Sequence, residues 1–277
     1  MNVFKNEEGK RAVLDYYDKL LGKINIPYEK LTIATTYGTA YALSAGNREN
    51  PPLVLLHGSS MNSAMWIKDI ETFSSHYRVF APDLPGEPGH SSEEQLPFDS
   101  ADYVVWLREV FDALPIVRAD LAGISLGGWL AAGFACTHPD RINKLALLCP
   151  AGIGGQNHAF KEIALSLLPR GEEGVNELFR MINGNKPIPD IMLNYQKLIA
   201  AVSNSRMETV PLLTDHQLKQ LSMPSLLIVG EKDIMLNSAE TAARYRAILP
   251  DSQIISLPDA GHSLTGLSAE IMSFLRQ

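Results

Sequence analysis

Cysteine is almost absent from this chain of 277 residues. Cys136 and Cys149 are too few for a disulfide framework, and neither stands in a C-x-x-C pair, so both read as small core residues. Basic residues are also outnumbered: 24 Lys and Arg against 31 Asp and Glu give a formal charge of −7, and no basic stripe is present that would track a phosphate backbone. That excludes nucleic acid as a partner. Long apolar runs are missing too. The longest, Leu126 to Cys136, is about half the ~20 residues of a membrane helix and opens with two glycines, so no segment is expected to span a bilayer. Met1 to Arg11 is polar, with Glu7 and Glu8, and lacks the basic start and apolar run of a secretory leader. The expected location is the cytoplasm. The sequence has no H-E-x-x-H, no P-loop and no cluster of metal ligands, so neither a metal nor another cofactor is implied.

What is present is the composition of a globular protein: 45% hydrophobic and 20% charged residues. From Leu53 onward, short apolar runs alternate with helical patterns. The runs are Leu53 to Leu56, Tyr77 to Ala81, Ala119 to Ala122, Leu145 to Cys149, Ser225 to Val229 and Gln253 to Leu257. Between and after them lie Ser63 to Phe73, Ala101 to Leu114, Leu126 to Thr137, Ala239 to Leu249 and Leu267 to Leu275. Near-continuous apolar strands separated by amphipathic helices predict an α/β protein with a mostly parallel sheet covered on both faces. Leu31 to Thr36 and Thr39 to Ser44 flank Tyr37-Gly38 as a hairpin that forms an antiparallel edge.

The stretch from Pro150 to His216 breaks this rhythm, with no strand and several short amphipathic helices. Phe160, Ile163, Ala164, Leu167 and Leu168 keep helical spacing, as do Val175, Leu178, Phe179 and Ile182, and then Ile191, Tyr195, Leu198 and Val202. Residues 151–215 are therefore expected to form a helical lid, inserted between core segments 1–150 and 216–277. Met181, Met192 and Met207 are candidate adaptable walls beneath it.

Gly123-Ile124-Ser125-Leu126-Gly127 fits G-x-S-x-G between an apolar strand and a helix, the context of a nucleophile elbow. The turn lifts the serine hydroxyl above the sheet, and the flanking glycines avoid collision and permit unusual backbone angles. A serine hydroxyl needs a base. With the order Ser, acid, His, the available histidines are His138, His158, His216 and His262. His138 lies at the far end of the helix that starts at Ser125, and His158 and His216 fall in the insertion and at its exit. His262 follows the last strand in Asp259-Ala260-Gly261-His262 and is the expected base. The orienting acid should leave the end of an earlier strand, which selects Asp233 in Gly230-Glu231-Lys232-Asp233 over Glu231 and Asp259. The loop His57-Gly58-Ser59-Ser60 and the residue after the nucleophile should supply the oxyanion N–H groups, from Ser59, with Ser60 as the alternative, and from Leu126. His57 is expected to brace that loop. Gly152-Ile153-Gly154-Gly155 has no second βαβ strand after it and is not read as a dinucleotide site.

Together these residues resemble the α/β-hydrolase superfamily from Leu31 onward. Pro51 to Gly58, Ala64-Met65-Trp66 and Asp102 to Leu114 are most similar to bacterial carboxylesterases of the naproxen-esterase type. The resemblance implies an α/β-hydrolase fold and hydrolysis of small-molecule esters with bulky aryl-bearing acids. One loop departs from the family's D-x-x-G-x-G-x-S: Asp83-Leu84-Pro85-Gly86-Glu87-Pro88-Gly89-His90-Ser91 carries an extra residue. The same triad also serves C–C bond hydrolases and cofactor-free perhydrolases, and the fold also hosts ligand receptors with vestigial turnover. The sequence carries no signal for oligomeric state.

Overall fold

The computed structural model describes residues 2–204, 206 and 208–277. Its strands are β1 (Tyr28–Thr35), β2 (Gly38–Ala45), β3 (Pro52–Leu56), β4 (Arg78–Pro82), β5 (Ala119–Ile124), β6 (Ile142–Leu148), β7 (Ser225–Gly230) and β8 (Gln253–Leu257). Among the described residues they form one eight-stranded sheet in the order β1-β2-β4-β3-β5-β6-β7-β8. β2 pairs antiparallel with β1 and β4, and every other neighbour is parallel. This is the expected mostly parallel α/β sheet with an antiparallel edge. The hairpin register joins Thr35 to Gly38, so the turn residues are Thr36 and Tyr37, one position earlier than the sequence suggested.

The helices are α1 (Glu7–Leu21), α2 (Ile67–Phe73), α3 (Asp102–Ala113), α4 (Leu126–Thr137), α5 (Ala159–Leu167), α6 (Glu172–Ile182), α7 (Asp190–Val202), α8 (Asp215–Leu218), α9 (Ser238–Ile248) and α10 (Ser268–Leu275). Strand residues alternate between two cores, as a period of two requires. Val54, Leu56, Leu145, Leu147, Leu227 and Val229 face Trp106, Phe111, Phe134 and Tyr245 of α3, α4 and α9. Leu53, Leu55, Ala146, Leu148, Leu226 and Ile228 face Val13, Tyr17, Phe73 and Phe274 of α1, α2 and α10. β5 and β7 are buried along their whole length, Asp120 and Ser225 included, which is why they read as near-continuous apolar runs.

α1 escaped the sequence reading, which treated the N-terminus only as a possible leader. Its signals are nevertheless local: Val13, Tyr17, Leu20 and Leu21 are buried at helical spacing, Asn6 caps the Gly9 N–H at 2.8 Å, and Glu7 and Glu8 occupy the first turn. α1 packs on α7. Tyr16 stacks on Tyr195 with ring centroids 5.1 Å apart, and its hydroxyl donates to the Ile191 carbonyl at 3.0 Å.

α5 to α8 fill the interval between β6 and β7. α5 stops at Leu167 because Pro169 follows, and Leu168 begins a 3₁₀ turn. Leu168 therefore leaves the apolar stripe assigned to it and is 49% exposed. On α7 the buried positions are Tyr195 and Ile199, with Leu198 only partly covered. Met181 and Met192 are partly buried, and Met207 lies outside the described residues. Among the described residues no helix is long and apolar enough to cross a membrane.

Candidate active site

The parallel strands end on one edge of the sheet, where ligands bind in open α/β sheets. β3 runs into His57, β4 into Asp83, β5 into Ser125, β6 into Cys149, β7 toward Asp233 and β8 toward His262. Ser125 sits between β5 and α4 with φ 55° and ψ −115°, a left-handed conformation costing a non-glycine residue about 1–3 kcal/mol. Its backbone is held on both sides: the N–H donates to the Leu148 carbonyl at 2.9 Å, and the carbonyl accepts from Trp129 at 3.0 Å and Ala151 at 3.1 Å.

The strained angle falls on the serine itself, whereas the flanking glycines act through space. A Cβ on Gly123 would drive into the Gly127 carbonyl, and one on Gly127 into the carbonyls of Leu56 and His57. The second glycine thus lets the first turn of α4 press on the end of β3.

His262 Nε2 lies 2.9 Å from Ser125 Oγ, and its Nδ1 lies 2.8 Å from Asp233 Oδ2. The other Asp233 oxygen accepts from the N–H groups of Met235 at 2.7 Å and Leu236 at 2.9 Å. Burial pushes the Asp233 carboxyl up, but the His262 hydrogen bond and charge, with those two N–H groups, outweigh it and hold it below the usual carboxylate range. An ionised Asp233 fixes the proton of His262 on Nδ1 and leaves Nε2 facing the serine hydroxyl.

The alternative acids are placed elsewhere. Asp259 forms an exposed ion pair with Lys232 at 2.6 Å, and Glu231 points to solvent. The alternative histidines are remote as well: His138 packs on Phe134 at the far end of α4, and His158 and His216 are exposed.

His57 is fully buried and joins two loops. Its Nε2 accepts the Leu84 N–H at 2.8 Å, which leaves the proton on Nδ1 to donate to the Gly58 carbonyl at 2.7 Å. Burial lowers its pKa, consistent with a neutral strut rather than a base. Gly58 lies against Ser125, since a Cβ built on it would sit 3.4 Å from the serine Cβ. Of the two following N–H groups, that of Ser60 donates to Glu87 Oε2 at 2.6 Å, and that of Ser59 makes no hydrogen bond among the described residues. Leu126 opens α4, where a first-turn N–H has no partner within the helix.

Two neighbours of the site were not legible beforehand. The end of α6 supports the His262 loop: the Ile182 carbonyl accepts the His262 N–H at 2.8 Å. Cys149 is buried, as expected, but it also joins the site, because its sulfur and the ligand atoms of Asp233 and His262 lie within 4.8 Å of one another. Burial pushes its thiol well up, so it remains protonated, and both imidazole nitrogens already have partners. This donor set holds protons and offers a metal no free anionic sulfur.

The glycine-rich run after β6 serves close packing. A Cβ on Gly154 would collide with Thr241 of α9, and Gly152 adopts φ +76° against Trp129.

Sheet order, elbow and a serine–histidine–carboxylate chain across the strand ends define an alpha/beta hydrolase. The model of the "Alpha/beta hydrolase family" matches residues 53–270, and the chain belongs to that family. Among its relatives, the uncharacterized carboxylesterase nap of Bacillus subtilis (strain 168) is 29% identical over 258 residues, covering 90% of this chain and 85% of its own. Carboxylesterase YbfK of the same organism is 28% identical over 274 residues, covering 94% of this chain and 92% of its own. The crystal structure of naproxen esterase (carboxylesterase NP) from Bacillus subtilis superposes with a TM-score of 0.86 at 27% identity, over 98% of this chain and 99% of that one.

Proposed function

We propose that this protein is a serine-dependent carboxylesterase with Ser125 as nucleophile, His262 as general base and Asp233 as the orienting acid. The observation that carries the reading is the unbroken contact chain from Ser125 Oγ to His262 at 2.9 Å and on to Asp233 at 2.8 Å. Kinship with two carboxylesterases over nine-tenths of the chain supports ester hydrolysis over the C–C and perhydrolytic chemistries that use the same triad.

In the first step Ser125 Oγ attacks the ester carbonyl carbon while His262 Nε2 takes its proton. The tetrahedral oxyanion is met by the N–H groups of Leu126 and Ser59, the latter favoured because Ser60 is already engaged by Glu87. The imidazolium returns its proton to the departing alkoxide, leaving an acyl-serine and an alcohol. Water, deprotonated by the same nitrogen, then releases the acid. Asp233 stabilises the imidazolium in both steps.

The helices of residues 151–215 act as a lid in this reading, with Leu178, Phe179, Ile182 and Tyr195 turned inward to varying degrees. Mixed charge on the insertion argues for neutral esters with apolar or aryl acyl groups. Esterase work of this kind requires no cofactor, and we place it in the cytoplasm.

Turnover of p-nitrophenyl esters and labelling by a fluorophosphonate test the assignment. Ser125→Ala should lose both while keeping its fold, with kcat reduced by orders of magnitude. His262→Ala should be about as damaging, and the double variant hardly worse, because the pair acts as a unit. A Ser125→Ala enzyme retaining a tenth of normal turnover would exclude the serine.

A further inference from the structure

We propose that Glu87 is a positioning residue of this site, its carboxylate pinning the Ser59-Ser60 peptide so that the Ser59 N–H stays free for the oxyanion. The inference deepens the esterase reading and rests on it. Its starting point is the loop that departs from the family pattern. Asp83 to Gly86 satisfies D-x-x-G and Gly89 to Ser91 satisfies G-x-S, so the extra residue lies between the two glycines, where Glu87 and Pro88 replace a single position.

That dipeptide reaches the oxyanion loop at two points. Glu87 Oε2 accepts the Ser60 N–H at 2.6 Å, and the Pro88 carbonyl accepts from Asn62 Nδ2 at 2.6 Å. The turn is closed on itself by the Gly89 N–H, which donates to the Glu87 carbonyl at 2.8 Å. Asn62 is fixed in turn, its Oδ1 accepting the Ala64 N–H at 3.1 Å.

Ser60 holds φ 54°, a left-handed angle that a serine keeps only where its surroundings impose it. Glu87 is 4% exposed and makes this one side-chain hydrogen bond among the described residues. A carboxyl buried against a single backbone donor is costly, and what it secures here is the peptide next to the oxyanion donor. Without the acceptor, Ser60 can relax toward an ordinary φ. The Ser59-Ser60 peptide then rotates, and the Ser59 N–H, one peptide upstream, is free to turn away from the developing charge.

The test uses the full chain with a p-nitrophenyl ester, kcat and KM measured separately, and inhibition by a trifluoromethyl ketone, whose serine adduct carries an oxyanion. Glu87→Ala should lower kcat by roughly 10- to 100-fold, less than removal of an oxyanion donor outright, with KM within about twofold. The ketone should weaken in parallel with kcat/KM. Glu87→Gln, whose amide oxygen still accepts the Ser60 N–H, should remain within about threefold of the unaltered enzyme by the same reasoning. If the alanine variant does not fold, Glu87→Met fills the volume without an acceptor and carries the same expectation. Unchanged kcat in the alanine or methionine variant, a loss confined to KM, or a glutamine variant as impaired as alanine would overturn the proposal. Each of these outcomes leaves the esterase reading intact as long as the unaltered enzyme turns over and Ser125→Ala does not. Absence of turnover in the folded, unaltered enzyme removes both.

Discussion

Replacing Glu87 with glutamine should change the pH dependence of stability by an amount that follows from burial. Burial raises the Glu87 carboxyl from its ordinary 4.5 to about 7, against the opposing Ser60 N–H and the Arg206 charge. Tyr103, which also faces this cluster, has its phenol pushed well up and remains neutral throughout. A carboxyl whose folded pKa is raised gives its full contribution below the unfolded value and loses it as pH rises through the folded value. At about 1.4 kcal/mol per pH unit, the loss approaches roughly 3 kcal/mol above both values. Between about pH 5 and about pH 8.5 the change is roughly 2.5 kcal/mol, because part of the loss has already occurred at pH 5. Glutamine is neutral throughout. Its fixed cost of burying an amide is the same at both pH values and cancels in the comparison.

Urea unfolding of both proteins at the two pH values measures the quantity. The stability of Glu87→Gln relative to wild type should rise by about that amount on going to the higher pH. An unchanged difference would refute the raised carboxyl. A shift of the opposite sign would mean that Arg206 and Ser60 stabilise the anion more than burial penalises it.

Asp233→Asn should fold normally yet lose roughly 10⁴-fold in kcat, since an amide favours the wrong imidazole tautomer; if Glu231→Gln is instead the harmful change in esterase assays, the acid is misassigned. Gly123→Ala should fail to give active enzyme, because its Cβ meets the Gly127 backbone rather than a flexible side chain; soluble protein with normal turnover would contradict the packing described for the elbow. Trp106→Ala, at a site only 1% exposed, should cost about 3–5 kcal/mol in urea unfolding, and a loss below about 1 kcal/mol would mean that the α3 core collapses to fill the gap. Across a homologous acyl series, kcat/KM should improve by on the order of 0.8 kcal/mol per buried methylene until the pocket fills, and an anionic analogue should be slower; a flat series would count against an apolar roof.

Much of this architecture was written locally. Strands such as Ser225 to Gly230 are buried at every position because the sheet is covered on both faces, so a short apolar run like Leu226 to Val229 suffices to read them. The elbow is equally local: strand, glycine, serine, glycine and helix lie within a few residues of Ser125. Chain order then narrowed the histidines and acids, and the fold brings His262 onto Ser125 across 137 residues and onto Asp233 across 29. α1 was legible in principle, since Val13, Tyr17, Leu20 and Leu21 keep helical spacing, but that pattern continues past the segment read as a start of chain.

Other features depend on how distant backbones meet, and no periodicity encodes them. Ser59 and Ser60 are indistinguishable as a dipeptide; what separates them is the approach of Glu87, a residue 27 positions on, to one N–H. The Ile182 carbonyl beneath His262 depends on where α6 ends above the β8 loop. Cys149 looked like core filling because it follows an apolar strand, and it is buried; but β6 lies beside β7, which carries the chain toward Asp233, so the same burial sets its thiol at the carboxylate. The sequence by itself determined the residue types that the strands, the elbow and the charge chain require, because those demands act over a few bonds. Tertiary structure alone decided which N–H groups, carbonyls and thiols adjoin them, because such contacts arise only when the strand ends and the inserted helices close on one edge of the sheet.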